Sequence, residues 1–309
     1  MTTAELNQIM ELMKQGGPDF KDETGKARSD FDQLLASLPV DETLEFETRT
    51  IGGIEGVWLA GEDRQDRVLL YLHGGAYVVG TAFGYRSLAA NIARAAGTSL
   101  FSPEYRLAPE HRYPAAIDDA LDAYRGLLEE GFAPQQIAVA GDSAGGGLAA
   151  ALLVAIKDAG LLQPAGAWLL SPWADLALTG ETVVSKADED KLLDAPGLSK
   201  TADDYLNGAD PRTPMASPIY ADLSGLAPLF IHAGSAEILL DDAVRLAARA
   251  GAAGTSARLE IGAGLFHDWP LFAFMLSEGR DALAAAGGFL AARLDAAEEL
   301  SAVSEPLDA

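Results

Sequence analysis

Six short apolar runs, separated by stretches of helix length, constrain this chain more than any other feature. They are Arg67–Leu72, Thr98–Ser102, Ile137–Ala140, Ala165–Leu170, Leu229–Ala233 and Ala257–Ile261. Helical patterns fill the gaps, clearest at Leu88–Ala96, Ala115–Glu130, Ala144–Ala159, Asp241–Ala250 and Arg280–Glu299. Continuously apolar strands that alternate with helices are explained by a mostly parallel sheet covered on both faces, which is an α/β fold. A length of 309 residues suits one large α/β domain with an embellishment.

Two stretches fall outside this rhythm. The N-terminal one reads as an amphipathic helix, with Leu6, Ile9, Met10 and Met13 at i, i+3, i+4, i+7 spacing, ended by Gly16-Gly17-Pro18. A second helical piece, Ala27 to Ser37, closes at Pro39. From Leu44 the pattern becomes strand-like, with Leu44, Phe46 and Thr48 alternating with acids before a Gly52-Gly53 turn. The other stretch, Ala174 to Ser217, is polar, broken by prolines and without a clear strand, so it reads as an excursion from the domain.

Composition narrows the function classes. The net charge of −24 repels phosphate backbones and anionic lipid, which disfavours nucleic-acid and membrane-surface roles. The absence of cysteine removes disulfide frameworks, thiol catalysis and cysteinyl metal sites. The first residues lack the basic-then-apolar layout of a signal peptide, and the apolar run Ala144–Ile156 is cut off by Lys157, short of the ~18 residues of a membrane span. These features predict a cytoplasmic protein.

The strongest chemical signal is Gly141-Asp142-Ser143-Ala144-Gly145, which follows the strand IAVA and opens the helix AGGGLAAALLVAI. That context is what a nucleophile elbow requires: the sharp turn lifts Ser143 from the sheet edge, and the small flanking residues let strand and helix approach closely. Ser143 then sits at a helix N-terminus, where backbone amides and the helix dipole favour developing negative charge. A second signal, His73-Gly74-Gly75-Ala76-Tyr77, follows the Arg67–Leu72 strand. Its glycines let two backbone amides face a pocket as an oxyanion hole, with the Ala144 amide as a third donor.

A serine alcohol needs a base. Of the four histidines, His73 belongs to the glycine-rich loop, where it is expected to hydrogen-bond backbone. His111 lies upstream in a proline-rich loop, and His232 sits within an apolar strand as a core residue. His267 follows the last strand in the loop GLFHDW, after the nucleophile in chain order, and is the candidate base. For the acid, Glu237 follows the Leu229–Ala233 strand directly. Asp241 and Asp242 are rivals that also suit the start of the next helix. Asp268, next to the histidine, is expected to point elsewhere.

The ordered strings HGGAY, SPEYRLAPEHRYPAAIDDA, GDSAGG, SPWADL, GSAEILLDD and HDW resemble the hormone-sensitive-lipase-like family of bacterial esterases over about residues 67–270. The resemblance implies an α/β-hydrolase fold with a helical cap formed by residues 1–45 and 175–217. The catalytic domain would then comprise residues 46–174 and 218–309. It implies Ser143 as nucleophile, His267 as base, Glu237 as acid, and Gly74, Gly75 and Ala144 as oxyanion donors. Two positions depart from the family pattern: Glu237-Ile-Leu replaces aspartate-Pro-Leu, and H-G-G-A replaces the commoner H-G-G-G.

The chemistry this predicts is hydrolysis of small, short-chain acyl esters through an acyl-enzyme, with no metal or organic cofactor. Activity would rise with pH around an ordinary histidine pKa of ~6.5. Tyr77, Phe83, Trp173, Tyr205, Phe266 and Trp269 could line an apolar substrate pocket. Lactone hydrolysis and deacetylation of a small natural product are the alternatives within the class. A receptor that keeps the fold but lacks a working base is the rival outside it, and His267 argues against that rival. The resemblance also makes a homodimer an expectation.

Overall fold

The centre of the molecule is a set of strands that touch no water. A computed structural model describes residues 3–13, 18–62 and 64–304. All six apolar runs form strands: β3 (Val68–Leu72), β4 (Ser99–Pro103), β5 (Ile137–Asp142), β6 (Gly166–Leu170), β7 (Leu229–Gly234) and β8 (Ala257–Gly262). They follow the strands β1 (Glu47–Ile51) and β2 (Ile54–Leu59). The eight make one sheet in the order β1-β2-β4-β3-β5-β6-β7-β8. β1 and β2 are antiparallel to their neighbours, and every pairing from β4 to β8 is parallel.

Every residue of β3, β4, β5, β6 and β7 is buried. Helices on both faces account for that. α3 (Arg86–Ala96) packs with α9 (Ser277–Ser304), and α4 (Ala115–Glu129) packs with α5 (Ser143–Asp158), while α8 (Leu240–Ala252) lies against β7 and β8. β8 departs from the pattern expected of it: it is an edge strand, and none of its residues is fully buried. The strand read from Leu44 starts three residues later, at Glu47, and β2 was not anticipated, because Gly56 and two acidic or half-buried neighbours interrupt its apolar pattern.

The two stretches outside the βα rhythm carry α1 (Thr3–Met13), α2 (Thr24–Ser37), α6 (Thr182–Ser185) and α7 (Ala195–Leu206). Ile9 is buried, whereas the side chains of Met10 and Met13, and Gly16 and Gly17, lie outside the described residues. Arg28 fixes α2 to the sheet domain, donating from Nε to the Val78 carbonyl at 2.8 Å and from Nη2 to the Ala108 carbonyl at 2.9 Å, with both Nη atoms on Glu110. Lys21 reaches Asp194 at 2.6 Å, and Asp194 also caps α7 by accepting from the Gly197 amide at 2.7 Å. The two excursions therefore pack on each other above the C-terminal ends of the parallel strands.

The junction of β5 and α5 sets how closely these layers approach. A Cβ at Gly145 would lie 2.1 Å from the Leu72 carbonyl oxygen and 2.3 Å from that of His73; one at Gly141 would lie 2.3 Å from the Gly145 oxygen. These are rigid backbone atoms, so no side chain can yield to make room. We expect Gly145→Ala to lower the urea midpoint by at least the equivalent of about 1–3 kcal/mol, the usual cost of overpacking. An unchanged midpoint would mean that α5 can shift away from β3.

Candidate active site

The elbow turns at Ser143, which has φ +53° and is the first residue of α5. This left-handed conformation is uncommon for a residue with a side chain and directs Ser143 to the ends of the parallel strands. β7 ends at Gly234, and the loop after it carries Glu237; β8 ends at Gly262, and the loop after it carries His267. Three strand ends thus deliver three side chains to one place. His267 Nε2 is 2.9 Å from Ser143 Oγ, and its Nδ1 is 2.6 Å from Glu237 Oε2. With the Nδ1 proton donated to the carboxylate, Nε2 is left to accept from the serine hydroxyl.

Glu237 is completely buried, yet its second oxygen is satisfied. Oε1 accepts from Ser171 Oγ at 3.0 Å and from the Gly234 amide. Ser171 was not anticipated from the sequence. It follows β6 in a left-handed turn (φ +42°), and its position in the SPWADL string is the only sequence signal it leaves.

The rival acids act elsewhere. Asp242 accepts from the Ala174 and Asp175 amides, each at 2.8 Å, and Asp241 accepts from the Thr182 amide at 3.1 Å. Both tether the 174–182 stretch to the start of α8. Asp268 contradicts its expectation. Its left-handed backbone (φ +55°) brings Oδ2 to 3.1 Å from His267 Nε2, on the side that faces Ser143. Burial is the largest influence on His267 and favours the neutral ring, but the Asp268 and Glu237 carboxylates outweigh it and raise the pKa well above its ordinary value.

The other histidines are structural. His73 Nδ1 donates to the Gly74 carbonyl at 2.7 Å, and the ring lies between Tyr85 and Tyr105. Burial lowers its pKa to about 4, against the Gly74 hydrogen bond, so it stays neutral. His232 Nδ1 accepts from Trp168 Nε1 at 2.9 Å, which leaves its Nε2 proton for Glu260 at 3.1 Å. His111 is exposed on its loop.

The glycine-rich loop requires one correction. The Gly74 amide is not free for an oxyanion: it donates to Asp142 Oδ1 at 3.0 Å, and Asp142 is buried and also accepts from Tyr71 Oη at 2.6 Å. The next two amides, of Gly75 and Ala76, make no hydrogen bond among the described residues. Gly75 has φ +116° and lines the cavity at Ser143, and a Cβ there would meet the Val79 carbonyl oxygen at 2.1 Å. Ala76 also has positive φ, at +51°.

A cavity of about 180 Å³ opens onto Ser143, His267 and Asp268. Its walls are Phe20, Phe31, Leu34, Leu35 and Leu38 from the N-terminal stretch, Leu192 and Leu193 from the second excursion, and Tyr85, Leu271 and Phe272 from the sheet domain. None of the six aromatic candidates is among them. Tyr77 and Tyr205 stack on each other with ring centres 4.1 Å apart, and Trp173 lies 6.2 Å from Tyr77. Phe266 packs edge-on against Phe272, and Trp269 donates to the Glu278 carbonyl and meets His232. Phe83 is 59% exposed beneath the Arg86 guanidinium. The true wall was legible in α2 and the residue that caps it, where Phe31, Leu34, Leu35 and Leu38 repeat at i, i+3, i+4, i+7.

Among the described residues, no group of three or more His, Asp or Glu side chains is arranged to hold a metal, and no helix is long and apolar enough to cross a membrane. Comparison with known proteins agrees with the geometry. Residues 69–271 match a family described by its alpha/beta hydrolase fold. An acetyl-hydrolase of Streptomyces hygroscopicus is 40% identical over 290 residues, covering 94% of this chain and 97% of that one. An esterase of Acinetobacter venetianus is 34% identical, covering 82% of this chain and 84% of that one. The crystal structure of an esterase from the bacterial hormone-sensitive lipase family superposes with a TM-score of 0.91 at 40% identity, covering 95% of this chain and 99% of that one.

Ser171 provides a test of the site's geometry. Ser171→Ala removes one of the donors that fix Glu237, and we expect kcat/KM on a soluble ester to fall by roughly tenfold, about 1.4 kcal/mol. An unchanged kcat/KM would show that the Gly234 amide alone is enough to orient Glu237.

Proposed function

Because the chain belongs to the α/β-hydrolase family, among the bacterial hormone-sensitive-lipase-like esterases, we propose that its carboxylesterase chemistry runs through Ser143, His267 and Glu237 on small, short-chain acyl esters. The observation that carries this reading is the unbroken chain Ser143 Oγ–His267 Nε2 and Nδ1–Glu237 Oε2, at 2.9 and 2.6 Å, on the floor of a largely apolar cavity.

Ser143 Oγ attacks the ester carbonyl carbon while His267 Nε2 takes its proton; Glu237 holds the ring and stabilises the imidazolium. The negative oxygen of the tetrahedral intermediate rests on the amides of Gly75, Ala76 and Ala144. Each such donor is typically worth about 10²–10³ in rate. Ala76 replaces Gly74 in this set because the Gly74 amide already serves Asp142. Ala144 is the second residue of α5, where a helix has no carbonyl a turn behind to accept its amide proton. Collapse expels the alcohol, which leaves with the Nε2 proton. A water molecule, deprotonated by the same nitrogen, then attacks the acyl-enzyme and releases the acid.

Cavity size supports the short-chain preference, since about 180 Å³ lies below the roughly 300–1,000 Å³ of drug-sized ligand pockets. Residues 18–38 and 191–193 supply much of the wall, which supports a cap role for the two excursions. Their apolar side chains would exclude water from the acyl group. The Streptomyces relative named as an acetyl-hydrolase fits the same size class.

Hydrolysis of p-nitrophenyl esters from acetate to laurate, by wild type and Ser143→Ala, tests the reading. We expect turnover to peak at acetate to butyrate and to fall by at least about 10³-fold in the variant, as loss of a triad nucleophile does. Undiminished turnover in Ser143→Ala would remove the triad. A maximum at laurate would remove the small-substrate assignment.

A further inference from the structure

Asp268 is the one acidic side chain at this site without hydrogen-bond donors of its own. It is 5% exposed, and Oδ1 has no partner within the described residues. Oδ2 lies 3.1 Å from His267 Nε2, the nitrogen that Ser143 Oγ also approaches, at 2.9 Å. Buried carboxylates elsewhere in the site are held differently. Glu237 accepts from Ser171 and Gly234, and Asp142 accepts from Tyr71 and Gly74. Asp268 has only the imidazole.

That contact has a definite requirement. In the base-ready histidine, Nε2 carries a lone pair, and a carboxylate oxygen carries lone pairs too, so the two repel unless a proton lies between them. With a proton on Nε2, the imidazolium is hydrogen-bonded to Glu237 through one nitrogen and lies at ion-pair distance from Asp268 at the other, and a buried charge pair of this kind is strong. The same proton blocks general-base catalysis, because Nε2 must be free to take the Ser143 proton.

We propose, on the basis of the Ser143–His267–Glu237 reading above, that Asp268 is a positioning residue that stores a proton on His267 Nε2 in the resting enzyme and so sets the pH at which Ser143 becomes nucleophilic. The other charged and titratable groups around the ring are Glu237, Asp142, Tyr85 and Lys191; burial, and with it the Asp268 charge, raises the Glu237 and Asp142 carboxyls. Glu237 stays on Nδ1. Asp142 lies behind Ser143 at the end of β5, Tyr85 forms part of the cavity wall, and Lys191 faces the cavity from the second excursion. His267 responds to both neighbouring carboxylates, with burial opposing them.

A stabilised imidazolium loses its proton only at higher pH, so the acidic limb of kcat/KM lies above the ~6.5 of an ordinary histidine. This revises the expectation drawn from the sequence. Removing the charge at residue 268 moves the limb to lower pH, and each unit of displacement changes the ratio of variant to wild-type kcat/KM about tenfold at pH values below both limbs.

The experiment is the pH profile of kcat/KM on p-nitrophenyl butyrate, from pH 5 to 10, for wild type, Asp268→Asn and Asp268→Glu. It is paired with the pH dependence of Ser143 labelling by a fluorophosphonate, which reads acylation without turnover. We expect the Asn limb to fall by at least a unit, so that at acidic pH this variant gains at least about tenfold on wild type relative to their ratio at pH 9. The Glu variant, which keeps the charge, should stay close to the wild-type limb. An unmoved Asn limb, or Asn and Glu profiles that change alike, would reduce Asp268 to a packing role. The wild-type labelling profile needs no folded variant: a limb at or below ~6.5 overturns the proposal. Failure of the underlying triad would appear separately, as undiminished turnover in Ser143→Ala.

Discussion

The close passage of α5 beneath the β3 carbonyls is the constraint on which the remaining geometry rests. Gly145 lies so near the Leu72 and His73 carbonyl oxygens that any Cβ would overlap them, and Gly141 faces the Gly145 carbonyl in the same way. The β5–α5 turn can therefore be tight enough to force Ser143 into a left-handed conformation, with its side chain beyond the sheet edge. The same approach puts the start of α5 beside the His73–Ala76 loop, so the helix N-terminus and the loop amides face one point. Loosening this contact would misplace Ser143 and the loop amides together. It would also weaken the Gly74–Asp142 hydrogen bond that anchors the loop.

Burying acids so close together raises the question of how each is accommodated. Asp142 and Glu237 are fully buried, but each is met by donors from two different parts of the fold, so these acids also join β5 to the oxyanion loop and β6 to the loop after β7. Asp142 acts structurally in this way, and it is the reason that the usable amides begin at Gly75. Asp268 meets no such donor, and its relation to the imidazole is accordingly electrostatic rather than architectural. Three carboxyl groups within one site thus serve three ends: anchoring a loop, orienting a ring, and biasing a proton.

Much of this was legible in the sequence, for physical reasons. The six buried strands read as continuous apolar runs because both their faces meet helices, and the elbow read clearly because its small residues are dictated by backbone contact. Ser143 could be read from its elbow motif, and His267 and Glu237 from residue type together with their placement after a strand. What could not be read depends on backbone torsion or on contacts distant in sequence. Nothing in the string GLFHDW reveals that residue 268 turns left-handed and faces Nε2, and nothing in HGGA reveals that the first glycine amide is taken by Asp142. The aromatic candidates failed for another reason: large rings near a motif are as useful for packing as for binding, and Tyr77, Trp173 and Tyr205 pack on one another. β2 escaped notice because it pairs antiparallel near the sheet edge, where continuous burial is not required.

The stretches outside the βα rhythm explain why a catalytic floor built by the sheet needs something above it. Ser143, His267 and Asp268 lie at strand ends that would otherwise open to water, where the carboxylates' influence on the imidazole would be screened. The stripe of Phe31, Leu34 and Leu35 on α2 and Leu38 at its end, together with Leu192 and Leu193, replaces that water with hydrocarbon. Polar contacts at its margin, through Arg28 to the Val78 and Ala108 carbonyls and through Lys21 to Asp194, add to an apolar attachment in which Ile9, Ala27, Phe31 and Leu35 join the hydrophobic core. Polar contacts at the rim help fix the position of the cover while leaving the wall itself apolar. This cover walls the cavity with hydrocarbon. It also keeps the effective dielectric low at the point where proton transfer between Ser143 and His267 must be sensitive to a neighbouring charge.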